Sequence, residues 1–165
     1  GDEHRLGPVG RGMAETMKGF ERSRCFVSTL ALGIAQAALD AAVTYARERQ
    51  QFGKPIGAHQ LVQAMLAGMA TDLDAARLLV YRALWKMSRS ERCEIEASMA
   101  KSFATEAALR ITSQAIQVHG AFGLTREFPV ERHFRNARML TVPDGTTQIN
   151  QLIIGRRLTG LSAFA

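Results

Sequence analysis

Cysteine, proline and tryptophan are scarce in this sequence: two, four and one among 165 residues. Cys25 and Cys93 form no CxxC pair and no zinc-type spacing, so a disulfide scaffold is excluded and reduced thiols in a cytoplasmic protein are expected. The four histidines, His4, His59, His119 and His133, are scattered, with no HExxH and no i, i+4 pair, so no metal ligand set is expected. GxSxG is missing, and no Walker or Rossmann glycine pattern follows a strand. Any chemistry here therefore borrows its reactivity from a cofactor, or the chain performs none. No apolar run approaches the roughly 20 residues that cross a bilayer, and no basic-then-apolar leader opens the sequence, so no membrane span is expected. Alternating β-branched residues are absent as well, which argues against sheets.

What is present reads as one globular domain, 47% hydrophobic and 22% charged, long enough to bury its own core. The formal net charge of +6 calls for an anionic partner: nucleic acid, an acidic membrane surface or a phosphate-rich small molecule. The arginines are dispersed in pairs such as Arg47/Arg49 and Arg156/Arg157, with no basic block interleaved with aromatics. That pattern favours a few discrete phosphates and disfavours a nucleic-acid track.

Helical spacing dominates. The segment GDEHRLGPVGRG (1–12) has no period and reads as a loop. From about Met13 to Gln51, Phe26, Leu30, Ile34, Ala37 and Ala41 recur at intervals of three and four, predicting a buried face. FGKPIG (52–57) breaks that helix. A second stripe runs through Val62, Leu66, Met69, Leu73, Ala76, Val80, Leu84 and Met87. After a hinge at 90–93, a third runs through Ala100, Ala104, Ala107, Ile111, Ala115 and Val118 to Gly120. Residues 130–141 predict a short helix, and Ile149, Leu152 and Ile153 mark the last. The expected fold is all-α: an up-down antiparallel bundle of four-helix type, with an irregular N-terminal segment and short C-terminal helices. Small residues along the stripes (Ala31, Ala35, Ala38, Gly68, Ala97) allow close packing, and Met65, Met69 and Met99 are expected to fill the core.

Four stretches carry the function: FERSR (20–24), RERQQFGKPIGAHQ (47–60), QVHGAFGLTREFPVERHFRNAR (117–138) and DGTTQINQLIIGRRLTG (144–160). In order and separation they resemble the C-terminal helical domain of the flavin-dependent acyl-CoA dehydrogenase family, over nearly the whole sequence. The resemblance implies FAD as cofactor and an acyl-CoA or acyl thioester as substrate. It also implies an electron-transfer flavoprotein or another acceptor as partner, and a homo-oligomer, dimer or tetramer, built on the bundle. Arg49 and Phe52, with Gln51 and Gln60, would reach the adenosine-diphosphate part of a neighbouring subunit's FAD; Arg offers a fork of donors to pyrophosphate. Read without the resemblance, Arg49 caps a helix and Phe52 covers the bundle end. Gln117 and Gly120 resemble the glutamine and first glycine of the family's QIxGG and would approach the same phosphates, whereas Ala121 departs from it. Gly120 also reads as a plain C-cap. Glu21 and Arg24 match positions that border the acyl-CoA pocket, or they form an i, i+3 ion pair.

Before the last helix the family usually carries Glu-Gly-Thr, whose glutamate removes the α-proton while the β-hydride goes to flavin. Here Asp144 and Gly145 stand in its place, with Thr146 and Gln148 matching flavin-touching positions. The developing enolate charge would be met by the base residue's own N–H, an oxyanion-hole arrangement. Aspartate shortens the reach by roughly 1.3–1.5 Å, about one C–C bond. Three readings stay open: Asp144 is the base for a substrate seated nearer, as in family branches with cyclic or unusual acyl groups; it faces a different carbon or a carrier-protein-bound acyl group; or efficient dehydrogenation is lost and it is only an N-cap with Thr146 or Thr147.

The resemblance further implies that residues 1–12 are the tail of a middle β-domain, that 13–160 are the bundle and that 161–165 form a tail. A piece of this kind is expected to have little activity alone. A non-catalytic oligomerisation or DNA-associated module of the same family is the alternative.

Overall fold

Among the residues described by the computed structural model, 2–163, the helices are α1 (Gly12–Glu48), α2 (Gln60–Ser88), α3 (Glu94–His119), α4 (Val130–Leu140) and α5 (Thr147–Thr159). The expectations for residue 1 and for residues 164–165 lie outside the described residues. Short connections force α1, α2 and α3 to alternate in direction, so α1 and α3 run parallel and share their most extensive contact. The all-α expectation is met, with α4 and α5 packed against α3.

The seam between α1 and α3 is built from alanine. α1 buries Ala31, Ala35, Ala38, Ala42 and Ala46; α3 buries Ala97, Ala100, Ala104, Ala107, Ala108 and Ala115. Spacings of three, four and seven, with Ala108 beside Ala107, put each set along one side of its helix, and methyl-sized side chains let the backbones approach closely. This overturns the expected face of α1 in part, since Ile34 and Ala41 of the expected stripe do pack at the core's margin. Phe26 and Leu30 are 59% and 60% exposed, and the buried stripe is Cys25, Ser28 and the alanines beside them. A periodicity count favours the bulky residues, but a close seam has room only for small ones. The stripes of α2 and α3 lie where expected: Met69, Leu73, Ala76 and Val80 are buried, with Val62, Leu66, Leu84 and Met87 packed at the margin. On α5 the buried face is Thr147, Asn150 and Ile153, while Ile149 is exposed.

Against the expectation of no membrane span stands one weak candidate among the described residues. α1 contains an 18-residue window of mean hydropathy 1.6, apolar and long enough to cross a bilayer by length and composition. A third of that window is buried inside the fold, against the other helices.

α1 ends at Glu48 rather than Gln51 because the next residues turn back on themselves. Gln50–Gln51 (β1) pairs antiparallel with Lys54–Pro55 (β2), a hairpin the sequence pattern did not reveal. Phe52 and Gly53, with φ of 53° and 77°, form the two-residue turn, in which both central residues take positive φ.

Candidate active site

The nominated residues fall into two clusters, one at each end of the parallel α1–α3 pair. At the N-terminal end lies the turn 141–145, between α4 and α5. Arg24 of α1, 5% exposed, donates from Nε to the Asp144 carbonyl at 3.0 Å. Lys101 of α3, fully buried, donates from Nζ to the carbonyls of Thr141 (2.9 Å) and Gly145 (2.8 Å). Asn150 of α5 donates from Nδ2 to the carbonyls of Gly145 (2.8 Å) and Thr146 (3.0 Å). Its Oδ1 is left without a partner among the described residues, so the turn's carbonyls dictate the amide orientation.

Gly145 is required twice over. Its φ is 94°, and a Cβ there would meet Ile149 Cγ2 at 3.3 Å and Arg24 Nη2 at 3.6 Å. Asp144 also takes a positive φ, 57°, a left-handed conformation uncommon outside glycine. It is not the N-cap of α5. Thr146 holds that position, its Oγ1 accepting the Ile149 N–H at 3.4 Å. Among the described residues, neither the half-buried Asp144 carboxylate nor its backbone N–H has a hydrogen-bond partner. Thr147 Oγ1 donates to Glu106 Oε1 at 2.6 Å, closing the far side of the turn. Gln148 is exposed on the first turn of α5.

Burial is the main influence on the two cations. It lowers Arg24, against the pull of Glu94, Asp144 and Glu21. It brings Lys101 down to about 8; Asp144 and Glu106 oppose that shift and Arg24 adds to it. The unfolded chain thus holds the Lys101 proton more tightly than the native one, from pH about 8 up to the ordinary lysine value of 10.5. Over that window the wild type is expected to gain stability relative to a Lys101→Met variant. Urea denaturation of both at pH 7.5 and pH 10 checks the sign.

Glu21 and Arg24 do not pair. The Glu21 carboxylate accepts the backbone N–H of Cys93, the residue that opens α3, and the Arg92 Nε at 3.0 Å. It ties α1 to the start of α3. Cys25 and Cys93 are neighbours just beneath, and burial raises both thiols, Cys93 to about 12, so each stays protonated and unreactive.

At the opposite end, Arg49 is the C-cap of α1, and its guanidinium lies 5.8 Å from the Phe122 ring centroid. Phe52 is 91% exposed, meeting the His59 ring edge-on at 6.0 Å between centroids. Gln51, Gln60, Gln117 and Gly120 are exposed as well. Gly120 is indeed a C-cap, its N–H bonded to the Gln117 carbonyl. Beneath them Tyr45 stacks on His119 at 4.3 Å, with the Phe128 edge against both, which makes a firm floor. The two clusters are separated along α1 by the 25 residues from Arg24 to Arg49, roughly 37 Å of helix.

Lys101, Asn150, Glu106 and Phe122 were not nominated from sequence. Only Lys101 left a signal: it occupies the alanine face of α3, four residues after Ala97 and three before Ala104.

Comparison with known proteins gives this arrangement a context. The profile described as "Acyl-CoA dehydrogenase, C-terminal domain" matches residues 10–159. The chain belongs to the acyl-CoA dehydrogenase family. It is 44% identical over 153 residues to the 3-(aryl)acrylate reductase of Clostridium sporogenes, covering 93% of this chain and 41% of that one. A subunit of the caffeyl-CoA reductase-Etf complex of Acetobacterium woodii is 44% identical over 156 residues, 94% of this chain and 41% of the other. Among solved structures, butyryl-CoA dehydrogenase from Megasphaera elsdenii superposes with a TM-score of 0.94 at 37% identity, over 96% of this chain and 41% of that one. The chain therefore spans about two fifths of the length of these relatives.

Proposed function

We propose that this acyl-CoA dehydrogenase-family chain is the C-terminal helical part of an FAD-dependent enzyme that removes hydrogen across the α,β-bond of an acyl thioester, with Asp144 as the base. One observation carries the proposal. The Asp144 carboxylate is half-buried and uncommitted, on a turn whose backbone is fastened by two buried cations, while Thr146 takes the capping role. A group needed only for stability would be engaged; this one is held in place and left open.

The residues at both ends suit a bound flavin nucleotide. Arg49, Gln51, Phe52, Gln60, Gln117 and Gly120 form an exposed set with a cation, an aromatic face and amide donors, fitted to a pyrophosphate and an adenine. Thr146 and Gln148 would meet the flavin's other half at the Asp144 end. With roughly 37 Å between the ends, more than one extended dinucleotide reaches, the clusters serve two different cofactors. A second copy of the chain must then complete each site, so the working form is a homo-oligomer.

When bound, FAD supplies the acceptor for the hydride leaving the β-carbon. The chain's own part is the proton. Asp144 takes it from the α-carbon, and the free N–H of Asp144 is placed to donate to the thioester oxygen as charge builds there. Arg24 and Lys101 place positive charge on the side of the turn that carries the carboxylate. Glu21, already bonded to Cys93 and Arg92, is assigned to the α1–α3 junction rather than to the acyl-CoA pocket. The likeness to a subunit of the caffeyl-CoA reductase-Etf complex supports an electron-transferring flavoprotein as redox partner.

The test is anaerobic titration of the full-length FAD-loaded protein with acyl-CoA thioesters, straight-chain, cyclic and aryl. Loss of the oxidised-flavin absorbance with at least one is expected. A fully loaded protein that no thioester bleaches, and that instead retains DNA in a salt-sensitive way, would sink the proposal in favour of a non-catalytic module.

A further inference from the structure

Lys101 is the one fully buried lysine among the described residues, and it stands on the alanine face of α3, where an aliphatic side chain would pack without desolvating a charge. Among the described residues no carboxylate ion-pairs with it; of the acids on its own helix, Glu106 is the one that acts on it electrostatically, and Glu106 is engaged by Thr147. Both of its hydrogen bonds go to backbone carbonyls, and those belong to Thr141 and Gly145, the first and last residues of the turn that carries Asp144. A buried cation bonded to both ends of one five-residue turn fixes that turn's shape, because each charge-assisted bond is roughly twice as strong as a neutral one. The turn needs such a restraint. Asp144 holds a positive φ of 57°, a strained state for a residue with a Cβ, which persists only where its surroundings determine it. Arg24 supplies the third tie, to the carbonyl of Asp144 itself.

We propose that Lys101 is the positioning residue of the catalytic turn: its ammonium clamps the carbonyls of Thr141 and Gly145 and thereby sets where the Asp144 carboxylate meets the substrate. The inference rests on the reading of Asp144 as the base. Lys101 touches neither substrate nor flavin in this assignment. It acts on the reaction through the backbone, and its removal lets the carboxylate wander on a turn that is otherwise intact.

The experiment uses the full-length FAD-loaded protein with Lys101→Met, which keeps the length of the stem and removes the donors, in wild-type and Asp144→Asn backgrounds. The rate of flavin bleaching is expected to fall on the order of tenfold to a hundredfold, the scale of an ångström-sized misplacement. Bound FAD and thioester affinity are expected to stay within about twofold, and hydrogen exchange of residues 142–147 to accelerate while the α1–α3 seam stays protected. In the Asp144→Asn background Lys101→Met is expected to cause no further loss of rate, because no base remains to be positioned. A rate within about twofold of wild type, an equal loss in both backgrounds, or unchanged exchange of residues 142–147 overturns the proposal.

Failure of the underlying reading looks different. If Asp144→Asn alone bleaches at the wild-type rate, the base assignment falls and takes the positioning role with it, whatever the exchange shows. Should Lys101→Met not fold, Asn150→Ala removes the other donor to the Gly145 carbonyl. It is expected to lower the rate and loosen the same segment, and an unchanged rate and exchange overturn the proposal.

Discussion

Replacing Asp144 by asparagine in the full-length protein is expected to slow anaerobic flavin bleaching by a substrate thioester roughly 10²–10⁴-fold, the usual contribution of a positioned general base. Asparagine has nearly the same shape, so the turn, its ties to Arg24 and Lys101 and the bound FAD spectrum should persist. What is lost is the ability to accept the α-proton. Stopped-flow bleaching under saturating thioester isolates that step from binding. Asp144→Glu is the sharper companion. It restores the length usual in the family and moves the carboxylate forward by roughly 1.5 Å, one C–C bond. Because the turn carbonyls are held by buried donors on three helices, the backbone cannot retreat to compensate. The glutamate variant is therefore expected to fall between wild type and Asp144→Asn, with the shortfall in rate rather than in thioester affinity. Retention of full rate by Asp144→Asn would remove Asp144 from the mechanism.

Enlarging the α1–α3 seam is expected to have the largest effect on stability. Ala38 and Ala104 are 0% and 1% exposed, one on each of the two parallel helices. Leucine at either site adds three carbons to a space closed by methyl groups, and overpacking of this kind typically costs about 1–3 kcal/mol. For a domain of this length that corresponds to a fall in midpoint of roughly 2–12 °C. The control is equally specific. Phe26→Ala and Leu30→Ala remove far more apolar surface from the same helix, yet both residues face outward, so each is expected to change the chain's own stability by less than about 0.5 kcal/mol. Thermal unfolding of the four variants distinguishes a seam of alanines from the seam of bulky residues that periodicity suggested. A larger loss from Phe26→Ala than from Ala38→Leu would refute the packing described above.

Seam and turn together explain how the fold serves the site. Alanine contacts bring α1 and α3 close enough for Arg24 and Lys101, one from each helix, to reach the carbonyls of a single turn. The same parallel arrangement puts the C-terminal ends of α1 and α3 at the far end, where the Arg49 guanidinium lies over Phe122. Widening the seam should therefore weaken the turn as well as the core.

Much of this was readable without coordinates. The i, i+3, i+4 apolar spacing determines helices wherever it runs for many turns, so α2 and α3 were placed almost to the residue, and Gly120 was recognised as a helix end. The resemblance of four short motifs was enough to nominate the residues of both clusters, because their chemistry, cation, amide, glycine and carboxylate, is carried by residue type and order. Three things were decided only in three dimensions. The buried face of α1 was misjudged because hydrophobicity scales reward size, whereas the distance between two packed helices sets how large a residue can be. The partners of Glu21 lie about 70 residues away and replace the local ion pair that sequence spacing suggested. Lys101 left only a charge out of place on an alanine stripe. Its role depends on which backbone carbonyls the tertiary fold brings within reach of its ammonium, and carbonyls, common to every residue, leave no mark in a sequence.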